Sequence, residues 1–96
     1  MVKDLNQFFE DHEDEFLKFD KVEEKLSSRP DINAFLLLNK LVPGNHDIVA
    51  CAEHDQIWLA TDIEELLEVA MPSELLDLYR SGVWYDDDND SLSMFV

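Results

Sequence analysis

Val83-Trp84-Tyr85-Asp86-Asp87-Asp88-Asn89-Asp90-Ser91-Leu92-Ser93-Met94-Phe95-Val96 decides how the rest of the chain is read. In its second half Leu92, Met94 and Val96 alternate with Ser91, Ser93 and Phe95. That two-residue period is the mark of a strand with one buried face. Val83-Trp84-Tyr85 is a second strand-prone run. The acidic stretch Asp86–Asp90 between them reads as a turn, so the whole segment predicts a β-hairpin. A lone hairpin is marginal in water and needs partners.

Working outward, a second hairpin is expected from Ile48–Ala52 and Ile57–Thr61, joined by the four-residue loop Glu53-His54-Asp55-Gln56. Thr61-Asp62 then opens a helix in which Asp62 and Glu65 have capping-box spacing and Ile63, Leu66, Leu67 and Ala70 keep a helical stripe. Met71-Pro72 interrupts it, and another short helix runs to Ser81 with Gly82 as its terminating residue. Upstream, Leu5, Phe8, Phe9, His12, Phe16, Phe19, Val22 and Leu26 suggest one long helix from about Asp4 to Ser27, roughly 35 Å at 1.5 Å per residue. Asp4 and Gln7 can cap its start, and His12 on its stripe is expected to be packed rather than functional. Ser27-Ser28-Arg29-Pro30 breaks that helix. The next one, Pro30 to Leu41, is apolar nearly all round and reads as a central buried helix. Pro43-Gly44 stops it. The expected fold is α+β: a helical hairpin plus two short helices packed on a small antiparallel sheet of two β-hairpins, with residues 1–96 forming one domain.

Composition narrows the function. The chain has 96 residues, 46% of them hydrophobic, with six Phe, two Trp and two Tyr. A chain of that mass buries about two thirds of its surface, enough for a core without staples, and its aromatics argue against acidic disorder. Cys51 is the only cysteine, so a reducing, cytoplasmic location is expected. Residues 1–20 are acidic throughout with no apolar signal core, and no run is long enough to span a bilayer. The formal net charge is −16, which repels nucleic acid and anionic membranes and favours a basic protein partner. The charge is uneven: residues 1–40 hold ten acids and six bases, whereas residues 41–96 hold 13 acids against Arg80 alone.

Catalytic and metal chemistry find little footing. Asp86, Asp88 and Asp90 match the start of an EF-hand calcium loop, but Ser91 stands where glycine is required and the final acidic ligand would fall outside the sequence. His46, Cys51 and His54 fit no zinc spacing, and Cys51 in its apolar run is expected to be a buried thiol. No nucleophile–base set is visible. With Gly44 and Gly82 as the only glycines, a glycine-rich phosphate loop is excluded. The chain is therefore expected to need no cofactor or metal and to be no enzyme.

Two surfaces stand out for binding. One is acidic: Glu53 and Asp55 in the first hairpin loop, Asp62, Glu64, Glu65 and Glu68 on the third helix, and Asp86, Asp87, Asp88 and Asp90 in the last turn. If the two hairpins share a sheet, these clusters would form a band along one edge. The other is aromatic: Trp58 and Trp84 lie out of phase with Ile57/Leu59 and Val83/Tyr85 and share a face with Phe95. Either that face is an exposed patch of the kind that marks interfaces, or it is the core face and the aliphatics point outward. In size and charge alone, the chain resembles the small acidic proteins with which phages and mobile elements block host enzymes, including anti-restriction and anti-CRISPR proteins that imitate DNA. That resemblance implies an inhibitor occupying a basic site on a nucleic-acid-processing protein in the host cytoplasm. The alternative is a homodimeric adaptor using the long first helix or the aromatic sheet face.

One expectation is testable at once. Thermal melts with and without a chelator coincide if no metal holds the fold together; a fall of many degrees on chelation would show that one does.

Overall fold

A computed structural model describes residues 2–95. Four strands, β1 (Val49–Glu53), β2 (Gln56–Leu59), β3 (Trp84–Asp86) and β4 (Ser91–Phe95), form one antiparallel sheet in the order β1-β2-β4-β3. The helices are α1 (Leu5–Asp11), α2 (Pro30–Leu41), α3 (Ile63–Val69) and α4 (Pro72–Arg80). This is the α+β class that the strand and helix periods anticipate. Val96, counted above in the β4 alternation, lies outside the described residues.

The two hairpins become one sheet where β2 pairs with β4, in the register Gln56↔Phe95, Ile57↔Met94 and Trp58↔Ser93. Residues directly opposite each other share a face. Ile57, Leu59, Leu92 and Met94 form the inner face, at most 9% exposed, and join Leu5, Phe9, Ala34, Leu37, Leu38, Leu66, Leu75, Leu78 and Val83 in a single core. The first hairpin turn is tighter than expected. Glu53 pairs with Gln56, leaving a two-residue turn in which His54 takes φ 53°. Strand β1 is exposed along its whole length, so Cys51 is an exposed thiol rather than a buried one. It sits on edge strand β1, opposite Trp58 and on the same face of the sheet.

The long first helix does not form. Helix α1 ends at Asp11, and two single 3-10 turns, Glu13–Glu15 and Phe19–Lys21, follow it. The acidic run explains the break. A continuous helix would set Glu10 against Asp14 and Asp11 against Glu15 at like-charge i,i+4 spacing. Breaking at His12 puts Glu13, Asp14 and Glu15 in the first turn of a new segment, where free N–H groups favour negative charge. The folded chain also measures only 29 × 28 × 25 Å and has no room for a 35 Å rod. His12 is half-buried, as expected, and its Nδ1 donates to the Phe8 carbonyl at 2.7 Å.

The expected helical hairpin is likewise rearranged. Helix α2 packs on α4, and α1 packs on β3. Helix α2 is not buried all round: Asn33, Ala34, Leu37 and Leu38 face inward, while Ile32 and Leu36 are exposed. The central helix is α4, which touches α2 and both 3-10 turns. Segment 16–29 becomes a strap across it. The Leu17 N–H donates to the Tyr79 carbonyl, Phe16 packs against the Tyr79 ring, and Arg80 donates to Glu15 at 3.1 Å and to Asp77 at 3.2 Å. Arg80 holds the Glu15 carboxyl below its ordinary pKa, whereas burial pushes that of Asp77 up. Gly82 ends α4 at φ 102°, and a side-chain Cβ there would meet Leu17 Cδ2 at 3.2 Å, so both the backbone and the strap call for glycine.

Asn33 ties the strap down. Its Oδ1 accepts from the N–H groups of Leu26 (2.7 Å) and Ser27 (3.3 Å), and its Nδ2 donates to Ser81 Oγ at 3.0 Å. Ser81 Oγ in turn donates to the Asp77 carbonyl. Truncating a buried hub of this kind leaves its partners unsatisfied, at about 1–3 kcal/mol. Asn33→Ala is therefore expected to lower the urea midpoint by that equivalent without changing the slope. A loss below experimental error would show that the strap is held by its apolar contacts alone.

Candidate functional site

The face opposite the core collects the aromatics. Cys51, Trp58, Ser93 and Trp84 are register partners on successive strands and make one row across the sheet. Beside it runs a second row, Glu53, Gln56 and Phe95. Asp86 and Ser91 form a third on the other side. The choice left open by the period of the strands is thus resolved: the aliphatics face the helices and the aromatics lie on the outer face.

The outer face is built rather than left over. Ser93 separates the two tryptophans and is wholly buried between its neighbours; its Oγ donates to the Ile57 carbonyl and accepts from Gln56 Nε2. Trp84 stacks on Phe95 with ring centres 5.5 Å apart, and Phe95 is 59% exposed. The indole nitrogen of Trp84 is enclosed and finds no acceptor among the described residues. Trp58 is fixed differently. Its Nε1–H donates to Asp86 Oδ2 at 2.8 Å, so the ring cannot turn without breaking a charge-assisted bond. The half-buried Trp58 ring borders an open depression of about 380 Å³, whose other walls are Cys51, Glu53, Asn89 and Ser91.

The last turn divides its acids between construction and display. Asp86 accepts from Trp58, from Asn89 Nδ2 at 2.7 Å and from the Asp88 N–H at 3.1 Å. Those bonds, that from Trp58 first, hold its carboxyl below the usual range. Asp90 takes the left-handed conformation, φ 47°, and accepts from the Tyr85 hydroxyl. That bond, with partial burial, pushes the Tyr85 pKa up to about 12. Asp87 and Asp88 remain as exposed carboxylates. The four aspartates of this turn are therefore not equivalent: removing Asp86 or Asp90 disturbs structure, whereas removing Asp87 or the Asp88 side chain removes charge.

The acidic clusters do not form the band along one edge that shared hairpins suggested. Because β2 and β4 are antiparallel, the turn after Glu53 lies beside Phe95, and the Asp87–Asp90 turn lies at the opposite end of β4. Glu53 and Asp55 therefore stand at one end of the aromatic face and Asp86–Asp90 at the other. Asp62, Glu64, Glu65 and Glu68 are exposed at the start and along α3, and Asp62 is occupied in capping that helix through the Glu65 N–H at 3.1 Å. The long helix offered as a dimer surface is absent, as described above. Among the described residues no group of three or more His, Cys, Asp and Glu side chains converges to hold a metal ion, and no helix is long and apolar enough to cross a membrane.

Comparison of the chain with protein families, with curated proteins and with solved structures finds no match in any of the three.

The electrostatics of the turn have a direct consequence. Both tyrosines have raised pKa values, Tyr79 chiefly through burial and Tyr85 chiefly through Asp90. A raised phenol pKa means that the neutral form is favoured by folding. The contribution of Tyr85 is thus complete below the unfolded value near 10 and is lost as the pH climbs toward about 12. Ultraviolet titration of the folded chain should show little phenolate at pH 10, a urea-unfolded sample should show half-titration there, and Tyr85→Phe should reduce the loss of stability at high pH. Ordinary titration of both rings in the folded chain would contradict the Tyr85–Asp90 bond.

Proposed function

We propose that this chain is a non-catalytic binding protein that occupies a basic, nucleic-acid-binding site on another protein, and that it docks through the open face of its sheet. The observation carrying this reading is the coincidence, on the one sheet face without helices, of Trp58, Trp84 and Phe95 with acids at both ends, in a chain of net charge −16. Interfaces typically have an aromatic centre and a polar rim. A field of this sign steers a basic surface toward that face and raises the association rate. DNA carries one negative charge per about 1.7 Å of its axis, and an acidic protein competes for the same channels. The partner class is therefore a nucleic-acid-processing protein, such as a restriction or CRISPR component, with the chain as its inhibitor in the host cytoplasm, encoded by a phage or mobile element. A homodimer through the same face would have to bring two chains of −16 together, which like-charge repulsion opposes.

The test separates field from fold. Asp87→Asn with Asp88→Asn should leave the melting temperature unchanged, because exposed charges of this kind contribute little to stability. It should slow association with a DNA-binding protein captured from host lysate several-fold and flatten its salt dependence. The captured protein should lose DNA binding when the chain is added. The control is Glu10→Gln with Asp14→Asn, exposed acids on the α1 side of the molecule. A larger effect from the control, or a salt-resistant self-association with no basic partner, would overturn the proposal.

A further inference from the structure

The depression beside Trp58 has a chemical signature more specific than negative charge. The unused hydrogen-bonding capacity of its polar walls is mainly that of oxygen acceptors. Asn89 gives one Nδ2–H to Asp86 and keeps its Oδ1 as an acceptor. Ser91 spends its hydroxyl proton on the carbonyls of Leu59 and Leu92, leaving oxygen lone pairs. Glu53 is an exposed carboxylate with no ion pair among the described residues. Trp58 contributes a flat π surface, with its own N–H already bound to Asp86. The ligand that best matches these walls is rich in donors, cationic, and flat enough to lie on an indole. Guanidinium has five N–H donors in one plane and no acceptor, and it stacks on aromatic faces as ammonium does not.

The geometry points to the depression lined by Cys51, Glu53, Trp58, Asn89 and Ser91 as a receptor for one arginine side chain of the partner. The volume of about 380 Å³ is ample for a guanidinium on its propyl stem. Asp86 acts here as a positioning residue. It fixes the indole beside the cavity through the Nε1–H bond, and it does so as an anion whose pKa is lowered by that same bond. The inference rests on the reading of the open face as the docking surface for a basic protein, and it names the anchor: an arginine, preferred over lysine.

The chain carries its own reporters. Trp58 and Trp84 each give an indole N–H resonance, and only Trp58 lines the depression. Titration with N-acetyl-arginine-amide should move the Trp58 indole resonance along a saturable curve while leaving that of Trp84 nearly still. It should also slow alkylation of the exposed Cys51 thiol. N-acetyl-lysine-amide should bind more weakly. Glu53→Gln should weaken arginine binding about two- to fivefold, the effect of an exposed charge contact of about 0.5–1 kcal/mol. Trp58→Leu should abolish protection of Cys51. The inference is overturned if both indoles drift together without saturation, if lysine and arginine derivatives act alike, or if Glu53→Gln changes nothing. Failure here and failure of the proposed function are distinguishable. A basic protein captured through Asp87 and Asp88 without arginine binding at Trp58 refutes only the receptor. Saturable arginine binding without capture of any basic protein refutes the proposed function and leaves the receptor standing.

Discussion

The pairing of β2 with β4 is the constraint on which the rest depends. Each hairpin alone is too small to be stable. Joined by Ile57↔Met94 and Trp58↔Ser93, they make a sheet with two chemically different faces. One step of one residue along β4 separates them: Met94 is 3% exposed in the core and Phe95 is 59% exposed on the other side. A slip of one residue in that pairing would exchange the two faces, burying Trp58 and exposing Ile57 and Leu59. The helices, the strap and the aromatic face all follow from its register.

Much of this was legible because the strand periods are clean. The alternation of Leu92 and Met94 with Ser91 and Ser93 marks the inner face, and the caps at Asp4, Asp62 and Gly82 sit where the chain places them. Whether the aromatic face was core or surface could not be read from Trp58 and Trp84 alone. Ser93 held the missing signal, since a serine between two tryptophans is more natural on the polar side of a sheet, but its register with β2 is not written in local sequence. In the N-terminal stripe, hydrophobic spacing alone does not set the helix length, because the charges between the apolar positions decide where α1 ends. Phe16, Phe19 and Val22 do keep helical intervals, yet Phe16 and Val22 turn inward at the ends of two 3-10 turns while Phe19 stays half-buried under Lys25, and the acidic run ahead of them is what ends α1. Cys51 misled for a related reason: an apolar run on an edge strand need not be buried.

The acids of the chain have two kinds of work. Glu15, Asp62, Asp86 and Asp90 accept hydrogen bonds that hold the strap, cap α3 and shape the last turn. Glu53, Asp55, Asp87 and Asp88 are exposed and set the field around the open face. Counting charge does not separate these groups; hydrogen bonds do. One acidic turn is thus both a structural element and a source of exposed charge, with Asp86 joining it to the aromatic face through Trp58.

The central claim is that the aromatic face is open and lies in a negative field. Collisional quenching of tryptophan fluorescence in the Trp84→Phe variant, with Trp58 as the remaining indole, tests both halves together. Cationic caesium should quench Trp58 readily and anionic iodide poorly, with the difference shrinking as salt screens the field. Equal protection from both ions would contradict the account, because it would place Trp58 in the core and the aliphatic residues of the sheet outside.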